Sequence, residues 1–175
     1  RDYGENENIN RAVQVLEHAK REALATQDKT TLIGYEGMAS NAYFEVLPVL
    51  ILNQKADFPF HGRNRRPPKD AVNAMLSFAY TLIANDTSAA LETVGLDPYV
   101  GFLHTLRPGR TSLALDMMEE LRAYLGDRFV LSLINKRQIT SKDFLFQGDN
   151  GVVMTDKGKK TFISAWQARK REVII

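Results

Sequence analysis

Three acids on one short stretch, Asp116, Glu119 and Glu120, stand at i, i+3 and i+4. On a helix at least two of these carboxylates share a face, with Cβ atoms about 5–6 Å apart. Such a cluster repels itself unless a cation intervenes. Hard oxygen donors with few imidazoles suit Mg²⁺ or Mn²⁺; a solvated face neutralised by Arg107, Arg110 and Arg122 is the plainer alternative. His104 precedes the first of these acids by twelve positions and falls where a short turn meets a loop, as either a metal ligand or a capping or core residue. Glu36 lies in the otherwise apolar run IGYEGMASNAYF, beside Gly34, Gly37, Ala39 and Ser40. An ionised carboxylate there is costly unless paired, so Glu36 is expected either at a site or in a salt bridge to an arginine of residues 63–66.

A second constellation is basic. Arg63, Arg65, Arg66 and Lys69 fall within seven residues, stiffened by Pro67 and Pro68 and preceded by Phe58, Phe60 and His61. Guanidinium groups on a rigid loop suit phosphate oxygens, although such a loop can also simply solubilise the chain. Lys157, Lys159, Lys160, Arg169, Lys170 and Arg171 give the C-terminal segment another basic face.

The elements that must position these groups are helical. Apolar residues at Ile9, Val13, Leu16, Ala19, Ala23 and Leu24 follow a 3.6-residue rhythm, which predicts a surface helix. Asp28, Thr30 or Thr31 can cap a second helix from about Leu32 to Gln54, expected to be mostly buried and kinked or broken at Pro48. Residues 57–70 carry three prolines and must be a loop. Asp70 opens a helix whose stripe runs from Val72 through Leu91 to Val94, with Gly95 at its C-terminal cap. Asp97-Pro98 predicts a helical turn over Tyr99 to Leu103 that delivers His104. Thr111 or Ser112 caps a helix to Leu125, which Gly126 ends, and a further short helix covers 127–135. Residues 144–146 and 152–154, separated by GDNG, read as one β-hairpin, followed by a basic amphipathic helix from Asp156 to Val173. The fold class is therefore mainly α, a single multi-helix domain over residues 1–175 with one small hairpin near the C-terminus.

Composition narrows the function classes. With 175 residues, 44% of them hydrophobic and 25% charged, the chain is of single-domain size and globular composition. The absence of cysteine excludes disulfides, thiolate zinc sites and thiol nucleophiles, and is compatible with a reducing cytoplasm. A net charge of +2 means that the distribution of charge, not its sum, must carry any attraction to nucleic acid. The longest apolar run, Val46–Leu52, is far short of a membrane span and no signal peptide is visible, so no membrane is expected. The chain begins at Arg1 in a polar stretch, as expected of a piece of a longer protein.

Taken together and in order, YEGMASNAYF, FHGRNRRPPKDAVNAMLSFAYTLI and GLDPYVGFLHTLRPGRTSLALDMMEELR resemble the C-terminal helical domain of the CRISPR-associated integrase, the endonuclease of the spacer-acquisition (adaptation) complex. The likeness runs from about Ile33 to Leu125, and the hairpin and basic helix beyond it agree. It implies that Glu36, His104 and Glu119 bind Mg²⁺ or Mn²⁺, that Asp116 supports them, and that Arg122 sits where relatives carry a cation able to hold a phosphate. Arg63, Arg65 and Arg66 would contact DNA. The activity implied is metal-dependent phosphodiester transfer, inserting a spacer precursor into the repeat array. The partners implied are that DNA, a second copy of the full-length protein and a small ferredoxin-like adaptation subunit. The β-rich N-terminal dimerisation domain of the family is absent from this chain. A non-catalytic helical module that binds nucleic acid through residues 63–69 is the alternative, and it would ignore divalent metal.

Overall fold

The computed structural model describes residues 6–174. Two helices open the chain, α1 (Glu7–Ala25) and α2 (Lys29–Val46), packed side by side. Each begins where a short polar side chain can take up orphan amides: Asn6 accepts from Asn8 and Ile9, and Asp28 accepts from Thr31 at 2.7 Å. Ala12 and Ala19, seven residues apart on one face of α1, are its buried positions. The expectation of a mostly buried second helix fails. Only Phe44 and Val46 of α2 are buried, because its apolar residues are spread around the helix and α1 is its main cover. Helix α2 also stops eight residues earlier than Gln54: Pro48 takes the first turn of a 3₁₀ helix, Leu47–Leu50, so the proline marks a break rather than a kink.

Helix α3 (Ala71–Thr93) is the central element, with Val72, Met75, Leu76, Ala79 and Ile83 at most 1% exposed. Asp70, expected in the first turn, stands one residue before it as the N-cap, accepting from the Asn73 amide at 2.7 Å, and Gly95 follows the end of the helix at φ 78°. Helix α4 (Ser112–Leu121), a π-helical turn (Arg122–Asp127) and helix α5 (Arg128–Asn135) run without interruption, so Gly126 does not end a helix. The glycine serves a close approach instead. A Cβ there would stand 3.0 Å from the Tyr80 ring and 3.2 Å from Ile83, so its absence lets the π turn press against α3. Strands β1 (Phe144–Phe146) and β2 (Val152–Met154) pair antiparallel with Leu145 opposite Val153, as the turn residues predict. Helix α6 (Asp156–Ile174) then lays Phe162 and Trp166 against Phe129 and Phe78 in a chain of ring contacts 5.0–5.4 Å between centroids. No helix among the described residues is long and apolar enough to cross a membrane.

Candidate active site

The segment between α3 and α4 departs from expectation and, in doing so, builds the site. Residues 99–103 are not helical; they form a turn at Pro98–Tyr99 and then a bent loop that rides on the first two turns of α4. Neither Thr111 nor Ser112 caps α4 through its side chain. The Pro98 carbonyl accepts from the amides of Leu113 and Ala114 at 2.9 and 3.3 Å, and the Ser112 hydroxyl donates to the Thr105 carbonyl. The loop is tied at its other side to α2, since Lys29 Nζ donates to the Phe102 carbonyl at 2.8 Å.

Asp116 is the anchor of this loop. One carboxylate oxygen accepts from the amides of Phe102 and Leu103, and the other accepts from the His104 amide at 2.9 Å and meets His104 Nδ1 at 2.6 Å. Three successive backbone N–H groups and a ring nitrogen thus converge on one acid whose side chain is 8% exposed. Burial works to raise the Asp116 pKa, but the hydrogen bonds from the His104 ring and the three amides outweigh it and hold the carboxyl below its ordinary 3.8. A carboxylate whose pKa falls on folding contributes stability above its unfolded pKa and loses it as pH drops through the folded value. The Asp116 contribution is therefore complete at neutral pH and disappears in acid below about pH 4. Replacement by alanine strands the three amides and frees the ring. Asp116→Ala is expected to lower the unfolding free energy at pH 7 by about 2–4 kcal/mol, with the loss shrinking toward pH 3, as chemical denaturation at the two pH values would measure.

With Nδ1 engaged by Asp116, the proton-acceptor and ligand capacity of His104 rests on Nε2. Glu119, one turn after Asp116 on α4, feels the charges of both Glu36 and His104, so the three groups singled out from sequence share one electrostatic neighbourhood. They do not form a closed cage. No three His, Asp or Glu side chains among the described residues stand near enough to hold an ion as they are. Glu119 turns to Arg122, whose Nη1 lies 2.9 and 2.6 Å from its two oxygens. Burial nonetheless pushes the Glu119 pKa up, with Glu36 adding to the rise and Arg122 only partly offsetting it. Glu36 is exposed on α2, so it has no desolvation to repay, and among the described residues it makes no ion pair with residues 63–66. The acidic triplet resolves into three separate fates: Asp116 on backbone and His104, Glu119 on Arg122, and Glu120 exposed. Of the three arginines that could neutralise it, Arg122 alone pairs with these acids.

The basic loop is rigid for a reason the prolines do not supply. Asn73, fully buried in α3, accepts from the Asn64 amide and from Arg63, and donates to the Gly62 carbonyl and to Asp70. Arg65, Arg66 and Lys69 project into solvent, as expected. Arg63 turns inward: its guanidinium bonds the Asn64 carbonyl, Asn73 and Ser77, and its carbon lies 5.2 Å from the centre of the Tyr80 ring. Arg122 lies over the same ring at 5.3 Å. Beside Arg63 and Arg65 a groove of about 580 Å³ opens between α2 and residues 60–65, over Phe44 and Phe60.

Sequence reasoning missed Tyr80, Tyr43 and Asp127. The Tyr80 hydroxyl donates to Asp127 at 2.5 Å, and Tyr43 also hydrogen-bonds that carboxylate. The available signal is a charged residue directly after Gly126, which by sequence alone reads equally as the start of a new helix.

The family model described as CRISPR associated protein Cas1 matches residues 1–168. A CRISPR-associated endonuclease Cas1 of Rhodospirillum rubrum is 51% identical over 162 residues, which cover 92% of this chain and 47% of the relative. Among solved structures, a Cas1 protein from Thermotoga maritima superposes with a TM-score of 0.82 at 31% identity, over 91% of this chain and 50% of that one. A chain of a partial Cas6-RT-Cas1–Cas2 complex superposes with a TM-score of 0.87 at 25% identity, over 97% of this chain and 51% of that one. The chain thus spans about half the length of the relatives it matches.

Proposed function

The chain belongs to the CRISPR-associated Cas1 family, and from that premise we propose that it is the catalytic helical part of a DNA endonuclease and integrase that inserts new spacers into a CRISPR array. The observation that carries the chemistry is the His104–Asp116 pair beside a half-buried Glu119. An imidazole whose Nδ1 is held by a carboxylate is the arrangement that orients a metal-ligating histidine. We assign Glu36, His104 and Glu119 as the ligands of Mg²⁺ or Mn²⁺, a donor set of two carboxylates and one imidazole that suits either ion. Bound there, such an ion neutralises charge at a scissile phosphate and lowers the pKa of an attacking hydroxyl.

The chain's own residues do the rest. Asp116 holds the imidazole in register, and Arg122 exchanges Glu119 for a phosphate oxygen while stacked on Tyr80. Arg65, Arg66 and Lys69 grip backbone phosphates without reading bases. With a 3′-hydroxyl as nucleophile the outcome is strand transfer, and with water it is nicking. The working assembly is a dimer of the full-length protein with a small ferredoxin-like subunit in the cytoplasm, a reading supported by the likeness to a chain solved in a Cas1–Cas2 complex.

The test uses the full-length protein, stripped by chelator, on a branched DNA substrate. Cutting or strand transfer is expected only after Mn²⁺ or Mg²⁺ is restored. Binding that proceeds equally with and without metal, and never leads to cutting, would favour a non-catalytic nucleic-acid module. In the same protein Arg65→Ala with Arg66→Ala is expected to lower the slope of log K against log salt by about 0.9 per lost phosphate contact on duplex DNA, with the melting temperature unchanged. An unaltered slope would make these two arginines solubilising groups only.

A further inference from the structure

Asp127 is a carboxylate 1% exposed that the chemistry proposed above does not use. It joins three elements: Tyr43 from α2 and Tyr80 from α3 both hydrogen-bond it, and it ends the π turn itself. The π turn is what aims it. Arg122 and Asp127 are five residues apart, which on an α-helix would set them about 140° from one another, whereas an i→i+5 turn brings both to the side facing Tyr80. Tyr80 carries both guanidiniums, Arg63 and Arg122, over its ring. Burial pushes the Asp127 pKa up, while the hydrogen bonds from Tyr80 and Tyr43 and the charges of Arg122 and Arg63 favour its ionised form and partly offset that rise. Arg122 in turn holds both oxygens of Glu119. A buried acid with no direct ion pair is a costly way to fill space, and an asparagine or an apolar residue would fill it more cheaply. What only an acid supplies is a counter-charge for the two arginines.

We infer that Asp127, acting through Tyr80, is a positioning residue that sets how tightly Arg122 holds Glu119, and therefore how readily Glu119 is released to a divalent cation. The inference rests on Glu119 being a metal ligand. With Asp127 charged, the guanidinium of Arg122 pairs directly with Glu119, lies 5.3 Å from the centre of the Tyr80 ring and is held from its other side by the Asp127 charge. Without that charge, Glu119 alone balances Arg122; their pair tightens, and a cation must compete harder for Glu119.

The test is made on the full-length protein, well below its melting temperature, with Mn²⁺ as the probe. Mn²⁺ binding to the DNA-free protein is followed by electron paramagnetic resonance, alongside a Mn²⁺ titration of DNA cutting. Asp127→Asn is expected to weaken Mn²⁺ binding about tenfold, the scale on which partners of metal ligands act. Tyr80→Phe, which keeps the ring and both stacked arginines, should shift binding the same way by less. The double variant should match Asp127→Asn alone, because both changes break one connection. Arg122→Gln should raise Mn²⁺ affinity more in the Asp127→Asn background than in the unaltered protein, a non-additivity that a purely structural role for Asp127 does not produce. If Asp127→Asn and Tyr80→Phe only lower the melting temperature and leave Mn²⁺ affinity per folded molecule unchanged, the positioning role is wrong while the metal site stands. If the unaltered protein binds no Mn²⁺, or Glu119→Gln does not diminish binding, the metal assignment fails and the positioning role fails with it. Should Asp127→Asn not fold, Tyr80→Phe with and without Arg122→Gln decides the matter on the same readouts.

Discussion

Glu119→Gln is expected to abolish Mn²⁺-dependent cutting and strand transfer by the full-length protein, by about a thousandfold or more, while leaving the metal-free fold close to its original stability. The rate effect follows from charge. A ligand carboxylate holds the cation that stabilises the transition state, and an effect of roughly 4 kcal/mol is three powers of ten in rate. The stability effect is small because two contributions oppose one another. Gln loses the ionic contact to Arg122 at 2.6 Å, but it also removes a carboxylate whose ionised form burial disfavours. Gln also relieves the repulsion from Glu36. Thermal melts with and without Mn²⁺ separate the two roles. The unaltered protein should gain melting temperature with Mn²⁺ and the variant should not, since an ion stabilises only a fold that binds it. A variant that melts several degrees lower without metal and still cuts at the original rate would reduce Glu119 to one half of a structural ion pair.

The second large effect is expected from a residue with no functional group. Gly101 lies where the 101–104 loop crosses α4, and a Cβ there would stand 2.7 Å from the Ser112 backbone carbon and 2.8 Å from Asp116 Oδ2. Both neighbours are fixed, one as the backbone of a helix and the other by its bonds to three amides, so the loop has to lift. Gly101→Ala should therefore part Asp116 from the amides of Phe102 and Leu103 and move His104. The stability cost is that of an overpacked site, about 1–3 kcal/mol. The catalytic cost is larger, about a hundredfold, because a displacement of the order of 1 Å in a positioned group is enough to produce it. Nuclear magnetic resonance of the His104 ring would register the change directly: its Nδ1 proton should lose the signature of a short bond to a carboxylate. A Gly101→Ala protein with an unaltered His104 signal and full activity would show that the loop is not the device that holds the imidazole.

Much of this architecture is written in local chemistry. Asn6, Asp28 and Asp70 cap their helices because a short side-chain oxygen reaches an orphan amide wherever it precedes a helical rhythm, with no help from the rest of the fold. The hairpin and Gly95 are equally local, as is the order of the long α-helices, whereas the 3₁₀ turn at Pro48, the π turn after Leu121 and the non-helical 99–103 segment are not. The candidate site was legible as residue types as well, since Glu36, His104, Asp116 and Glu119 are the oxygen and imidazole donors that divalent-metal chemistry uses. What they do for one another was not legible. That Asp116 gathers three amides and the imidazole depends on a loop twelve to fourteen residues away lying across α4, and Pro98 and Gly101 permit this only in the presence of that helix. Helix α2 was expected to be buried because its composition is apolar, but burial depends on what packs against a face, and only α1 covers most of its length. Gly126 reads as a stop in sequence because glycine often ends helices; in the fold its missing Cβ admits the Tyr80 ring, a contact forty-six residues distant in sequence. Arg63 has the same side chain as Arg65, yet one is turned into the fold and the other into solvent by a buried Asn73 ten positions further on. Residue type and spacing determined which groups were present and on which elements. The tertiary structure alone decided which charge faces which, because that is set by contacts between segments far apart in the chain.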